Sequence, residues 1–278
     1  MVNVSSTTWF LPVRPWIDDV KSMLRSLRLS LAPLVLLAVL LAIWEIYSRS
    51  STIGDNVLPP FSRVLTAGWA DRQSLWENTV PTVREVIIGF AVSVAFAFVI
   101  SVLLDLSPRA NRAVMPLLIG SQTVPLVVLA PLFVIWFGFG FLPKILLVTL
   151  VTFFPVVVGL VDGYASTERD AVTLLRTMGA GKVSVFTLVR LPSALPGFFT
   201  GLRIGITYAV VAAIFAEYAG AVSGLGVYIR GASGSFRTDL VLAGVVVAAL
   251  ITLGLYGLTI VVQRLCMPWY AASRKVLQ

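Results

Sequence analysis

The sequence contains no histidine and a single cysteine, Cys266. Without histidine, the chain cannot form a serine–histidine–aspartate triad, a histidine zinc site or a histidine general base. These exclusions remove the chemistry that most membrane hydrolases use. One cysteine permits no internal disulfide and no thiolate metal cluster. We therefore expect no cofactor and no metal ion in this chain.

Charged residues are also scarce. They make up 12% of the 278 residues, whereas 58% are apolar, a composition typical of integral membrane proteins. Backbone in lipid must hydrogen-bond to itself, so apolar runs of about 20 residues cross the hydrocarbon as helices. We predict an all-α integral membrane protein with about six transmembrane helices, at 31–47, 83–104, 113–137, 145–161, 198–219 and 240–262.

The distribution of lysine and arginine predicts the orientation of these spans, because cytoplasmic loops accumulate both residues. Most of them fall on the inner side if the N-terminus is inside. We therefore expect the N-terminal segment 1–30, the loop 162–197 and the tail 263–278 to be cytoplasmic, with the transmembrane domain at 31–262. The net charge of +8 then reflects this bias and attraction to lipid headgroups, and no nucleic-acid partner is expected.

The loop between the fourth and fifth spans has the pattern of a helix pair. Thr167 and Asp170 have the spacing of a capping box, which predicts a helix start. The apolar residues that follow recur at helical spacing and share one stripe, and Gly179 can supply the left-handed residue that ends the helix. A second short helix is predicted at 182–190, and Pro192 is expected to stop it. The stripe comprises Ala171, Leu174, Leu175 and Met178.

This amphipathic pair has two interpretations. Its apolar stripe, with arginines around it, either docks on a partner protein or lies in the lipid headgroup layer. The run from Gly179 to Ser184 superficially resembles a phosphate-binding loop, but the full pattern needs glycine at Arg176 and serine or threonine at Val183. If ATP drives this protein, another subunit must therefore hydrolyse it.

The third span is rich in helix-disrupting residues. Pro125 and two further prolines each remove a backbone donor, and the polar residues Ser121, Gln122 and Thr123 lie between them. This pattern predicts a bent helix at a translocation path, since its freed polar groups need protein or water partners. Alternatively, the polar residues bond to a neighbouring helix.

The fifth span combines a small-residue face with a buried acid. Gly197, Gly201 and Gly205 predict close helix packing. Glu217 lies near the outer end of the span, where an unpaired carboxylate would be costly. We expect it either to line or gate the outer vestibule, paired with Arg230 or Arg237, or to be solvated at the interface.

The loop also resembles a family signature. The pairs Gly179-Ala180 and Leu191-Pro192 are similar to the EAA-loop of permease subunits of binding-protein-dependent ABC importers. Residues 173–175, Thr-Leu-Leu, stand where that family usually has Glu-Ala-Ala. Other segments are similar to the nitrate, sulfonate and taurine branch of the family, namely QTVP at 122–125, FFP at 153–155, GLR at 201–203 and GLG at 224–226.

This resemblance implies a type I ABC importer permease in a bacterial inner membrane. The implied partners are a second copy of the permease, a cytoplasmic ATPase dimer that binds ATP and Mg, and an extracytoplasmic binding protein. The implied cargo is a nitrate-, sulfonate- or taurine-like anion or a vitamin precursor. An ion-coupled secondary transporter is the alternative, although we find no clear internal repeat. The implied ATPase-coupling residues are Leu174, Leu175, Met178, Gly179, Ala180, Val185, Phe186, Leu191 and Pro192.

Overall fold

The computed structural model describes residues 15–50, 54 and 57–269, with side chains from residue 32 onward. The described part of the chain contains helices and turns but no strand, which confirms the all-α prediction. The chain divides into two compact units, Met1–Arg63 and Val64–Gln278. Residues 1–14 and 270–278 of the two predicted tails lie outside the described residues.

The first unit contains helix α1, Pro15–Ser50, and the start of α2, Phe61–Ala70. The Glu45 carboxylate accepts hydrogen bonds from the backbone nitrogen of Ser62 at 3.0 Å and from its hydroxyl at 2.7 Å, and it pairs with Arg49. The Trp44 and Phe61 rings lie 5.5 Å apart. These contacts hold the start of α2 against the end of α1, whose apolar side chains from residue 32 onward are otherwise largely exposed.

The second unit is a bundle around three long helices. In chain order its helices are α3, Arg72–Leu106; α4, Pro108–Ser121; α5, Leu126–Phe137; α6, Phe141–Ala165; α7, Arg169–Thr177; α8, Lys182–Val185; α9, Leu191–Gly220; α10, Leu225–Gly234; and α11, Thr238–Cys266. The second, fourth, fifth and sixth predicted spans lie inside α3, α6, α9 and α11. Five described helices are long and apolar enough to cross a membrane, or six if α4 and α5 together form one broken span.

The third span is broken rather than bent. Helices α4 and α5 meet at an angle of 97° across residues 122–125, so the prediction of one helix over 113–137 was wrong. Pro125 lacks an N–H and disfavours helical backbone in the residue before it, which explains why the chain breaks here. Pro116 and Pro131 lie inside α4 and α5 without ending them.

Helices α6 and α9 pack in backbone contact. A Cβ at Gly197 would fall on the carbonyl oxygen of Gly159, and a Cβ at Gly201 would fall on that of Pro155. A Cβ at Gly163 would lie 2.6 Å from the Cα of Ala194. The predicted small-residue face therefore does pack a neighbouring helix, and α6 supplies matching glycines.

The loop between α6 and α9 starts differently from the prediction. Helix α7 begins at Arg169, but Glu168 is its N-cap residue and makes no side-chain cap bond. The Thr167 hydroxyl is buried without a hydrogen-bond partner, so the predicted capping box does not form. Gly179 ends the segment as predicted, with φ of 84°. The amides of Gly179 and Ala180 donate to the carbonyls of Arg176 and Leu175, which is the Schellman arrangement.

Pro192 does not stop the second helix, contrary to the prediction. Helix α8 continues through a π-helical turn, Phe186–Arg190, directly into α9. The Leu191 amide donates to the Phe186 carbonyl across that wider turn, and Pro192, which has no N–H to donate, follows directly after it within the continuous helix. The π turn is fixed to the bundle because Arg190 pairs with Asp105 on α3.

Candidate functional site

A cavity of about 850 Å³ lies between the α4–α5 break, α6 and α9. All four residues predicted at the break, Ser121, Gln122, Thr123 and Pro125, line it. The hydroxyls of Ser121 and Thr123 donate to carbonyls of the last turn of α4, each at 2.7 Å. They therefore bond within their own helix end rather than to a neighbouring helix. The cavity is the direct consequence of breaking the third span.

The cavity wall is mostly apolar. Helix α6 contributes Phe154 and Asp162, and α9 contributes Thr200 and Tyr208. Asp162 is the one carboxylate among the described residues that line the cavity, and none of these lining residues is lysine or arginine. The Gln122 amide nitrogen makes only a long hydrogen bond, 3.4 Å, to the Ser121 hydroxyl. Its carboxamide is exposed to the cavity and open to a solute.

Glu217 is fully buried, so the solvated position considered for it is wrong. Its carboxylate accepts hydrogen bonds from the Thr82 hydroxyl at 2.6 Å and the Gly226 amide at 2.7 Å. Pairing with arginine is also wrong. Arg230 donates to the carbonyl of Tyr218 in the last turn of α9 and to that of Ala221 just after it, and Arg237 binds Asp239. Glu217 is not one of the residues that line the 850 Å³ cavity.

The environment of Glu217 is the start of helix α10. Three successive amides there donate to side chains of other helices: Gly224 to Asn78, Leu225 to Thr82, and Gly226 to Glu217. The first amides of a helix lack partners within the helix and carry partial positive charge, so the carboxylate satisfies the Gly226 amide and its negative charge stabilises this helix start. Gly224 has φ of 127°, and a Cβ on it would collide with the Glu217 carboxyl group. Glu217 thus holds α10 against α3 and α9.

A buried ion pair lies beside this cluster, and the sequence reasoning missed it. Lys144 on α6 lies 2.5 Å from Glu85 on α3, and both side chains are buried. They line a second cavity of about 450 Å³ together with Arg84, whose guanidinium lies 5.2 Å from the Phe141 ring centre. The available signal was two charges of opposite sign: Glu85, next to Arg84 at the start of the second apolar run, and Lys144, just before the fourth run.

The predicted ATPase-coupling residues divide by exposure. Leu174, Met178 and Gly179 are exposed, whereas Val185 is buried. Phe186 packs its ring 5.5 Å from that of Tyr164 in the bundle core. Val185 and Phe186 therefore anchor the loop and do not belong to an outward surface, which corrects their assignment. The remaining predicted residues, Leu175, Ala180, Leu191 and Pro192, are half-buried.

Val183 is an exposed apolar residue that the prediction omitted. Its side chain is 76% exposed, comparable to Met178 at 75%, and the two residues flank the Gly179 turn. Leu174 adds a third exposed apolar side chain, one helical turn before Met178. We call Leu174, Met178 and Val183 the coupling surface. The exposed cations Arg169, Arg176 and Lys182 lie on the same two helices.

The described residues form an apolar helical bundle with five or six helices long enough to cross a membrane, which is the fold of an integral membrane protein. The chain belongs to the family of binding-protein-dependent transport system inner membrane components, whose model matches residues 89–271.

Three curated relatives cover most of the chain. The formylaminopyrimidine transport permease protein of Halalkalibacterium halodurans is 37% identical, over 86% of this chain and 96% of the relative. The taurine transport system permease protein of Escherichia coli is 33% identical, over 84% and 88%. The riboflavin transport system permease protein of Chloroflexus aurantiacus is 32% identical, over 94% and 98%.

The fold is also that of a solved transporter. A chain of the MetNI methionine ABC transporter in an inward-facing conformation superposes with a TM-score of 0.55 at 17% identity. The match covers 71% of this chain and 98% of the solved chain. At this identity the likeness extends to the fold alone.

Proposed function

We propose that this chain is the membrane subunit of an ATP-driven importer and that its 850 Å³ cavity is part of the path for a small organic solute. One observation carries the proposal: Lys182–Gly220 is a continuous helical run. Val183 of the coupling surface lies in its first turn, and its α9 part lines the cavity with Thr200 and Tyr208. At about 1.5 Å per residue, it is roughly 55–60 Å long. A displacement at one end therefore reaches the cavity wall.

The coupling surface fits a cytoplasmic ATPase as its partner. Exposed apolar side chains with cations around them suit a groove that has an apolar floor and an acidic rim. The chain's own turn at Gly179–Lys182 lacks the phosphate-loop pattern, so the partner would bind ATP and Mg and this chain would not be an enzyme. In this arrangement, loop 162–197 and both termini would lie on the cytoplasmic side of a bacterial inner membrane.

A second copy of the chain would complete the path. The cavity opens on a face where Ile204, Tyr208 and Val211 of α9 are about half exposed. One bundle supplies one wall, and a symmetric pair supplies the facing wall with the same residues. An extracytoplasmic binding protein would deliver the solute, in keeping with the family's description as binding-protein-dependent. The relatives' names suggest a solute of the kind of formylaminopyrimidine, taurine or riboflavin.

Transport would follow from a shift between two arrangements of the pair. ATP binding would draw the two partner ATPases together, and with them the two coupling surfaces. The continuous helical run would carry this movement to the cavity and favour an outward-open path, and hydrolysis would reverse it. Such a shift requires that ATP bind one arrangement more tightly than the other.

The buried charges keep an ion-coupled transporter as a second candidate. Ionisable groups within membrane helices are typical of proton-driven carriers, and Glu85, Lys144 and Glu217 form such a cluster. Their known contacts favour a structural role, because the Glu217 carboxylate holds α10 and the Glu85 carboxylate holds Lys144.

Reconstituted vesicles separate the two candidates. The permease, its ATPase and its binding protein would be placed in liposomes with radiolabelled formylaminopyrimidine, riboflavin and taurine supplied in turn. An importer takes up one of them only with ATP on the ATPase side, and a protonophore leaves uptake unchanged. Uptake that does not depend on ATP and that the protonophore abolishes would establish the ion-coupled carrier instead.

A further inference from the structure

The geometry points to an uncharged aromatic heterocycle, of pyrimidine or flavin type, as the solute that passes the 850 Å³ cavity, and it disfavours sulfonates and other strong anions. This inference rests on the proposed function, because it takes the cavity as the transport path. It goes further by choosing between the two kinds of solute named for the relatives.

The first step is the charge of the cavity wall. Asp162 is the one carboxylate among the described lining residues, and no lysine or arginine lines the cavity. A sulfonate is ionised at every physiological pH, so it would leave water for a mostly apolar wall with a carboxylate and no counter-charge. Moving an unpaired anion into such surroundings is strongly unfavourable. A symmetric second copy would repeat the same residues and double the unfavourable charge.

The second step is the position of the nearby cations. Lys144 is bound by Glu85, and Arg190 is bound by Asp105. Arg203 is on α9 but is not one of the described residues that line the cavity, and its Nε atom is buried without a hydrogen-bond partner. None of these three cations therefore lines the cavity.

The third step is what the wall does offer. Phe154 and Tyr208 provide aromatic faces on which a planar ring can stack. The Gln122 carboxamide presents a donor and an acceptor at the helix break, which suits the ring nitrogens and exocyclic groups of a heterocycle. A volume of about 850 Å³ accommodates solutes from a single pyrimidine to a flavin.

Charged thiol reagents measure the cavity potential directly. Thr200 is exposed in the cavity, so Thr200→Cys in a Cys266→Ser background supplies one reactive thiol. The matched control is Ser233→Cys on α10, which is exposed and lines neither of the two cavities. The detergent-solubilised permease–ATPase complex is treated with cationic trimethylammonium-ethyl and anionic sulfonatoethyl methanethiosulfonates, with rates normalised to 2-mercaptoethanol.

We expect the cation-to-anion rate ratio at Thr200→Cys to exceed that at Ser233→Cys by about tenfold, as a net negative wall requires. Adding Asp162→Asn should bring the ratio close to that of the control. An anionic reagent that reacts as fast as the cationic one at Thr200→Cys would overturn the inference. So would an anion preference that disappears with Arg203→Gln, because it would show that Arg203 faces the path.

Uptake by the reconstituted importer gives an independent result. ATP-driven uptake of formylaminopyrimidine or riboflavin, unaffected by excess taurine, supports the assignment. ATP-driven uptake of taurine overturns the solute class but leaves the proposed importer intact. Uptake of any solute that depends on a proton gradient rather than ATP overturns the proposed function itself.

Discussion

Replacing Glu217 tests whether its carboxylate holds helix α10 in place. In Glu217→Ala, the Thr82 hydroxyl can turn to the Asn78 carbonyl, 3.1 Å away, but the Gly226 amide keeps no acceptor. A stranded buried donor costs about 1–3 kcal/mol. The space left by the truncated side chain adds about 1–2 kcal/mol, and relief from burying a charge offsets part of the sum. We expect a net loss of about 2–4 kcal/mol.

Glu217→Gln should be much milder, because it can keep the same geometry. Its amide oxygen can accept from Gly226, and its amide nitrogen can donate to the Thr82 oxygen, whose own proton then turns to Asn78. We expect a loss below about 1 kcal/mol. At roughly 2–4 °C per kcal/mol for a chain of this size, the alanine variant should melt roughly 5–15 °C lower and the glutamine variant within about 4 °C of the parent.

Thermal unfolding in detergent and hydrogen exchange would measure both variants. Exchange should accelerate in the peptide that contains residues 222–228 for the alanine variant only. Val222→Ala is the matched control, because Val222 lies on the same connection and is 95% exposed. Equal losses of stability in Glu217→Ala and Glu217→Gln would refute the hydrogen-bond account. The two variants share only the loss of the negative charge, so that loss alone would then explain the effect. Faster exchange elsewhere, with α10 unchanged, would refute the assigned anchor.

Three further predictions concern packing, the buried pair and the loop turn. Gly197→Ala should lower the stability by about 1–3 kcal/mol or more, because its Cβ would fall on a backbone oxygen of α6. The control Gly231→Ala has open space around its Cβ and should be neutral or slightly stabilising. The melting temperatures of the two variants measure the difference. Lys144→Met should cost about 3–5 kcal/mol by leaving Glu85 buried without its partner, and adding Glu85→Met should recover most of that loss in a double-mutant melting cycle. Gly179→Ala should cost about 1–2 kcal/mol at the left-handed turn, seen as faster proteolysis of the α7–α8 loop, and unchanged proteolysis would contradict the Schellman assignment.

Local signals in the sequence predicted much of the fold. Apolar run length predicted the long helices, since lipid leaves the backbone no other partner. The glycine spacing on α9 predicted close packing, and Gly179 predicted the helix end, because each depends on a few neighbouring residues. The sequence correctly predicted that the polar residues at 121–123 and Pro125 interrupt the third span, although the interruption is a break between two helices rather than a bend in one.

Contacts between distant residues were beyond local reasoning. Thr82 and Glu217 are 135 positions apart, and Glu85 and Lys144 are 59 apart. Nothing near Glu217 indicates that its partners are a threonine and backbone amides rather than an arginine. The π turn before Pro192 is likewise decided by tertiary contacts, because Arg190 and its partner on α3 hold that turn in the bundle.

The most direct test of an ATP-driven permease is whether the coupling surface holds the ATPase. Met178→Glu and Val183→Glu each put a charge on a side chain that is about three-quarters exposed, so the permease itself should fold as before. Val222→Glu, on the α9–α10 connection, is the control. The account predicts that the two coupling variants lose co-purification of the ATPase and the ATP hydrolysis stimulated by solute-loaded binding protein, whereas the control keeps both. Full retention of both in the Met178→Glu, Val183→Glu double variant would contradict it.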